Sequence, residues 1–143
     1  MKSLRICIGS NDGVRMAETH LGDSGRFLIY DLFEDQSTRQ VEERQNTATH
    51  LGHGGAEKMA RVLQLLDDVD VVVAQKNSPN LRKIAAHAVH KPVVVKTPAI
   101  ELVLATLGRS FFELHEQVAH RRSGARTQSI PELSPLPDST AGG

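Results

Sequence analysis

Cysteine is almost absent from this chain, since Cys7 is the only one among its 143 residues. A single cysteine excludes an internal disulfide and an iron–sulfur site built from cysteines of one chain. Cys7 lies within the apolar stretch that includes Ile6 and Ile8. We therefore expect a buried strand thiol there rather than a metal ligand.

An excess of charge and a long apolar run are also missing. Lys plus Arg and Asp plus Glu balance at 17 each, so no global field draws the chain to nucleic acid or to an acidic membrane. No apolar run reaches the ~18 residues of a membrane span, and Met1–Arg5 begins without the apolar stretch of a signal peptide. The expectation is a soluble cytoplasmic protein without nucleic-acid or membrane partners.

The apolar patterning predicts one α/β domain, because the chain is long enough for a single core and too short for two. Five strands are predicted: Leu4–Gly9, Arg26–Phe33, Thr38–Arg44, Val69–Ala74 and Pro92–Lys96. The Val-rich fourth run is typical of a strand buried on both faces. The third, charged along most of its length, is typical of an edge strand.

Three helices are predicted from apolar residues that recur with helical spacing. Their apolar positions are Ala56, Met59, Ala60, Leu63 and Leu66; Leu81, Ile84, Ala85 and Ala88; and Ile100, Val103, Leu104, Leu107, Phe111, Leu114 and Val118. From residue 122 the chain is rich in Ser, Gly, Thr and Pro, with little to bury. We therefore place the domain at 1–121 and predict a disordered tail at 122–143.

The order of these elements brings several polar loops to one edge of the sheet. Short links make the first three strands an antiparallel meander, and helical crossovers make the later strands parallel to the first. Counting strand directions, the loops with Asn11 and Asp12, with His20, with His50 to Gly55 and with Lys76 then share one rim. Ligands of open α/β sheets bind at the carboxyl ends of the strands.

The candidate ligands on this rim are three histidines. Imidazole suits transition metals, and the free N–H groups of the helix that begins after Gly54 and Gly55 favour an anion. A site with both features can hold a ligand that is metallic and negatively charged. His-x-x-His spacing, as in His50 and His53, also occurs on ordinary polar surface. His87 and His90 are interpreted as residues at a helix end.

Motifs along the first two thirds of the chain resemble those of the dinitrogenase iron–molybdenum cofactor biosynthesis family. They are Asn11-Asp12-Gly13, His20-Leu21-Gly22, Arg26-Phe27 through Tyr30-Asp31, Asn46, His53-Gly54-Gly55, Val69-Asp70-Val71-Val72-Val73 and Ser78-Pro79-Asn80. The resemblance covers about Leu4 to Leu107 and rests on the order and spacing of the motifs rather than on any one of them.

The resemblance implies a ribonuclease-H-like fold and a protein that binds, carries or helps assemble an iron–molybdenum or related metal–sulfur cluster. It places the main cofactor contact on His20. With the rim residues, the predicted cofactor-binding set is His20, His50, His53, Gly54, Gly55, Asn11, Asp12 and Lys76, with His20 and His53 as metal ligands. Cluster-assembly or acceptor proteins would be its partners, and no catalytic residue is predicted.

The sequence departs from the family pattern at two loops. Leu21 stands where the family has an aromatic residue, and Lys76 and Ser78 stand where it has glycines. A loop without these glycines cannot approach a bulky ligand as closely, whereas Lys76 adds a cation that suits an anionic cluster or a phosphate.

Two other functions remain open from the sequence. One is a regulatory or scaffold module that binds a small anion at the rim and a partner through the last helix. The other is a phosphoryl-transfer enzyme or nuclease, which needs carboxylates grouped about two cations. Asp31 and Asp70 are the main strand carboxylates, and their placement predicts no such group.

Overall fold

A computed structural model describes residues 1–51, 55–127 and 129–135. Within them the chain forms one six-stranded mixed sheet in the order β3-β2-β1-β4-β5-β6. The strands are β1 (Ser3–Ser10), β2 (Arg26–Phe33), β3 (Thr38–Gln45), β4 (Val71–Ala74), β5 (Lys91–Val95) and β6 (Glu132–Leu133). β1, β2 and β3 form an antiparallel meander, and β4, β5 and β6 continue from β1 in parallel.

Four α-helices cover the two faces of this sheet within the described residues. They are α1 (Ala56–Leu65), α2 (Pro79–His87), α3 (Ile100–Arg109) and α4 (Phe111–Arg122). Alternate strand residues face opposite sides, so Ile6 and Ile8 pack under α3 and α4 whereas Cys7 packs under α1 and α2. Cys7 is fully buried, as predicted, and burial raises the pKa of its thiol.

The predicted α/β class, the meander and the parallel β1, β4 and β5 are confirmed. The strand count is larger than the predicted five. β6 lies in the segment for which the sequence predicts disorder, and its pairing with β5 extends the sheet. A two-residue strand has no readable periodicity, and its support comes from Ile130 and Leu133, which pack against the two apolar cores. Residues 128 and 136–143 of the predicted tail lie outside the described residues.

The predicted third helix is two helices. Every predicted apolar position from Ile100 to Val118 is buried, but the helix stops at Ser110, whose φ of −104° and ψ of 20° end α3 and begin α4. The apolar spacing continues across this break, so periodicity alone does not reveal it. None of the helices in the described residues is long and apolar enough to cross a membrane.

The buried face of α1 matches the predicted one in part, since Leu66 is buried and Met59 and Leu63 pack half-buried against the core. Lys58, Val62 and Leu66 face the sheet, whereas Ala56 and Ala60 are exposed. The three buried residues are spaced by four, as a helix face requires. Because the first of these positions is a lysine, the apolar spacing alone does not identify this face. Lys58 lies at the candidate site.

Candidate functional site

The strand register confirms that five strand ends meet at one edge of the sheet. Ser10 at the end of β1 pairs with Arg26 at the start of β2, and Arg26 pairs with Gln45 at the end of β3. On the other side Ala74, the last residue of β4, is paired with Val94 of β5. We call this edge, with the loops and helix starts that extend from it, the rim.

The β1–β2 loop begins with two residues that build a turn. Asp12 Oδ1 accepts hydrogen bonds from the backbone N–H of Val14 (2.8 Å) and Arg15 (2.9 Å), and Arg15 Nε lies 3.2 Å from Oδ2. These donors lower the pKa of Asp12. Asn11 Oδ1 accepts from the N–H of Gly25 (2.9 Å) and so joins the two ends of the loop. Both predicted site residues are at the rim, where these bonds give them roles in holding the loop.

A short 3₁₀ turn, Leu21–Asp23, follows His20 and packs directly on β1. The contact depends on Gly9, because a Cβ added there would lie 2.3 Å from Ser24 Oγ and 3.1 Å from Ser24 Cβ. Leu21 is buried among the apolar residues under α1 and α2. Only glycine at this position of β1 lets the turn pack this closely against the strand. With the turn packed in this way, His20 lies at the surface.

His20, Asp23 and Lys58 form a charged group on the rim. His20 Nδ1 lies 4.0 Å from Asp23 Oδ2, and Asp23 Oδ1 accepts a hydrogen bond from Lys58 Nζ. The Lys58 side chain is only 4% exposed, whereas that of His20 is 46% exposed. A buried ammonium thus holds a carboxylate beside an accessible imidazole.

Asn46 connects the end of β3 to this turn. Its side-chain amide donates to the carbonyls of Gly22 (2.9 Å) and Ser24 (2.8 Å), and its Oδ1 accepts from the N–H of Ala48 (3.0 Å). Asn46 is buried, and all these bonds lie in the interior. The amide therefore fixes the position of the turn after His20 relative to the segment that leads to His50.

The segment after β3 carries the other predicted histidines. His50 lies in a second 3₁₀ turn, Thr49–Leu51, and is exposed. Gly55 precedes the first residue of α1, where no side chain among the described residues caps the helix. A Cβ added to Gly55 would meet no atom of those residues within 4 Å, so they do not sterically require glycine there. His53 and Gly54 lie outside the described residues.

The β4–α2 loop completes the rim. Gln75 Nε2 donates to the carbonyl of Met16 (3.0 Å) and ties this loop to the β1–β2 loop. Ser78 Oγ accepts from the N–H of Leu81 (3.2 Å) and caps α2, a common role for serine. Lys76, predicted as a site residue, is exposed between them. Asn80 also reaches this region, since a Cβ at Gly22 would lie 3.8 Å from Asn80 Nδ2.

The rim carries an open cleft and no preformed metal cage within the described residues. No three His, Cys, Asp or Glu side chains come together there as a metal ion requires. The cleft has a volume of about 440 Å³ and lies between the β1–β2 loop and the start of α3. Asn11, Asp12 and Thr19 line it, and His20 follows Thr19 directly. This geometry suits a preassembled ligand held by few contacts better than a bare ion held by many.

Sequence reasoning missed the contribution of Lys58. Glu57 and Met59 flank it, and a charge in the first turn of a helix usually faces water. The signal available was its spacing of four from Val62, and of eight from Leu66, on an otherwise apolar face. Asn46 was assigned only through the family motif, and the structure adds its hydrogen bonds.

The strand carboxylates are engaged by arginines rather than grouped. Asp31 lies opposite Arg5 in the sheet and binds Arg5 Nε (3.0 Å) and an Arg39 N–H (3.1 Å), which lower its pKa. Asp70 accepts from the N–H of Arg5 (2.8 Å) and from the side chain of Arg122. These contacts lie away from the rim, toward the other end of β1.

The fold and the rim together define a small α/β domain with its accessible histidine and helix starts on one edge of a mixed sheet. The family model described as dinitrogenase iron-molybdenum cofactor matches residues 2–110. The match covers most of the chain, and the protein belongs to this family. A search of curated proteins and a search of solved structures gave no match.

Proposed function

We propose that this protein binds an iron–molybdenum or related metal–sulfur cluster at the rim and carries it as cargo during cofactor assembly or delivery. Family membership links the chain to the iron–molybdenum cofactor. The strand order β3-β2-β1-β4-β5 also fits the ribonuclease-H-like fold that the family resemblance implies. The observation that carries the proposal is the accessible His20 beside Asp23, a half-buried carboxylate that is bound by the buried Lys58.

Asp23 and Lys58 suit His20 for ligation. A histidine that binds a metal through one nitrogen usually directs its other N–H to a carboxylate or carbonyl. Asp23 lies on the Nδ1 side of His20, which favours a proton on Nδ1 and leaves Nε2 as the ligand. Lys58 holds Asp23 in place, so a carboxylate already lies 4.0 Å from the imidazole before the cluster arrives.

The electrostatics of the rim favour an anionic cargo. The start of α1, which no side chain of the described residues caps, presents backbone N–H groups, and Lys76 adds an exposed cation. Helix starts of this kind attract anions. His53 is the predicted second metal ligand, and His50, which lies in the turn before α1, could contribute a further nitrogen after a loop adjustment.

The contacts of the carboxylates favour a carrier rather than an enzyme. A two-metal phosphoryl-transfer site needs carboxylates free to bind both cations. Within the described residues, Asp31 and Asp70 instead bind arginines, and Asp12 accepts hydrogen bonds from the backbone of its own turn. We therefore propose that the protein is not an enzyme.

Anaerobic uptake of isolated iron–molybdenum cofactor tests this proposal. The wild-type protein should gain visible absorption and retain molybdenum, iron and sulfide after gel filtration. His20→Ala should reduce retention at least about tenfold without lowering the melting temperature of the apo protein, because His20 is exposed. His87→Ala, an exposed histidine on α2, is the matched control.

Wild-type retention with an unaffected His20→Ala variant would contradict the assignment of His20. A protein that takes up no cluster but binds inorganic phosphate at the rim would instead support the anion-binding regulatory module. The visible spectrum distinguishes the carrier from the anion-binding module, because a metal–sulfur cluster absorbs visible light and phosphate does not.

A further inference from the structure

We propose that a second site, at the end of the sheet opposite the rim, binds the carboxylate group of a small monoanionic molecule through Lys91. Lys91 is the first residue of β5 and pairs with Val71 at the start of β4. The rim lies at the other ends of these strands. This site is therefore separate from the one proposed for the metal–sulfur cluster and does not depend on it.

Lys91 is an unusual lysine because it is buried without an acceptor. Only 3% of the residue is exposed, and its Nζ has no hydrogen-bond or ion-pair partner within the part of the chain that the structure describes. Burying an ammonium without a partner is costly. Lysine is almost never fully buried unless it is paired, so an anion supplied from outside would complete this environment.

A cavity of about 520 Å³ adjoins Lys91 and gives an anion room to enter. Its wall comes from β5, from α4 and from the segment after α4. Neutral hydrogen-bonding residues lie on the same wall, namely Gln117, Thr127 and Ser129. The cavity therefore combines a buried cation with polar groups that can orient a bound molecule.

Arg121, which also lines the cavity, is already committed elsewhere. Its guanidinium donates to the carbonyls of Val89 (3.2 Å), Ile84 (3.1 Å), Ala85 (3.0 Å) and Ala88. Arg121 therefore satisfies the backbone carbonyls at the end of α2. Its charge still acts on a ligand in the cavity, but its N–H groups are already bonded. Lys91 is left as the cationic group whose head is free to bind.

The charge of the cavity selects the kind of anion. Glu113 and Glu116 line it from the exposed side of α4. Two carboxylates on the wall disfavour a dianion such as phosphate more than a monoanion. A single ammonium is also a compact point charge, which matches one carboxylate. A small monocarboxylate fits this balance better than phosphate does.

Nuclear magnetic resonance of the full-length protein, titrated with sodium acetate against sodium chloride at equal ionic strength, tests the proposal. Saturable shifts are expected at the side-chain ε protons of Lys91 and at the backbone amides of Thr127 and Ser129. Inorganic phosphate should bind at least about tenfold more weakly. His20→Ala should bind acetate as the wild type does, which separates this site from the rim.

Lys91→Met should weaken acetate binding at least about tenfold, and Lys83→Met, an exposed lysine on α2, should leave it unchanged. The wild-type shifts at Lys91 itself test the site even if the Lys91 variant does not fold. Absence of a saturable shift there, equal binding of phosphate, or a folded Lys91→Met protein that binds acetate normally would each overturn the proposal.

Discussion

His90 shows at the scale of one residue how the interior sets a chemical state. It is buried beyond the end of α2, its Nε2 lies 2.7 Å from the carbonyl oxygen of Leu66, and its Nδ1 has no partner in the described residues. Burial, with Arg122 and Arg121 nearby, lowers its pKa below the ordinary value of 6.5, although Leu66 and Asp67 oppose this. The neutral ring therefore donates from Nε2 to Leu66.

A pH dependence of stability follows from this lowered pKa. The unfolded chain binds a proton to His90 more readily than the folded protein does, so the contribution to stability is complete above about pH 6.5 and is lost as the pH falls through the folded-state pKa. We expect the free energy of unfolding to decrease less between about pH 7 and 5 in His90→Gln than in the wild type. Denaturant titrations measure this, with the exposed His87→Gln as control. An unchanged pH dependence in His90→Gln would contradict it.

Lys58 gives a second prediction for a single side chain. Lys58→Met keeps the apolar stem but removes the cation bound to Asp23. We expect a loss of about 1–3 kcal/mol in stability and weaker cluster retention, because the carboxylate beside His20 is no longer held in place. Thermal melts and anaerobic uptake measure the two effects. Arg61→Met, an exposed position on the same helix, should change neither. Full retention in Lys58→Met would show that Lys58 does not support the site.

Burial of single residues could be predicted where the side chain is apolar. Cys7 and the apolar positions of α2 are buried as expected. The burial of Lys91 could not be predicted, because only the three-dimensional neighbours of a charged residue reveal it, and for Lys58 the one signal was its spacing from Val62 and Leu66. The same holds for Asn11 and Asp12, whose turn bonds depend on a loop conformation that spacing does not specify.

At the scale of elements, the segment after α4 differs most from expectation. The sequence there is poor in apolar residues, and disorder was the prediction. The described part instead adds β6 to the sheet, with Lys96 Nζ 3.2 Å from Glu132 Oε1 and with Ile130 and Leu133 against the cores. β6 pairs with the edge of the sheet at β5, so the apolar contacts of Ile130 and Leu133 are enough to hold this segment on the domain.

Deleting all residues after 122 should therefore destabilise the protein. The loss of β6 and of the contacts of Ile130 and Leu133 should cost about 1–3 kcal/mol, and the Thr127 carbonyl that accepts from Arg121 (3.3 Å) is also removed. Denaturant unfolding of the truncated and full-length chains measures the difference. A second truncation after residue 135, which keeps β6, is the control. Equal stability of the chain ending at 122 would show that this segment contributes nothing.

The boundaries of strands and helices were predictable to within a few residues because apolar periodicity reports burial. The division between α3 and α4 was not, since Phe111 and Leu114 continue the apolar spacing beyond Ser110.

At the scale of the whole molecule, the core consists of apolar side chains. Two apolar clusters, one on each face of the sheet, contain residues from strands and helices throughout the domain. A small zinc module by contrast folds only with its ion. We expect chelator-treated protein to keep a cooperative thermal melt and its helical circular dichroism. Loss of either would mean that a metal contributes to the fold.

The direction of each strand made the rim predictable, because topology and handedness leave few ways to connect these elements. The chemistry of the rim was only partly predictable. His20 could be placed on it from the sequence, whereas the Asp23–Lys58 pair beside it requires the packing of α1 against the turn.

Ligation of the cluster by His20 is the central claim, and pulsed electron paramagnetic resonance tests it most directly. Protein labelled with ¹⁵N-histidine would be loaded anaerobically with iron–molybdenum cofactor in its paramagnetic state. We predict a ¹⁵N hyperfine coupling to the cluster in the wild type and in His87→Ala, and loss of the His20 contribution in His20→Ala, where any remaining coupling comes from a second histidine. A coupling that persists unchanged in a loaded His20→Ala protein, or no coupling in a loaded wild-type protein, would contradict the account.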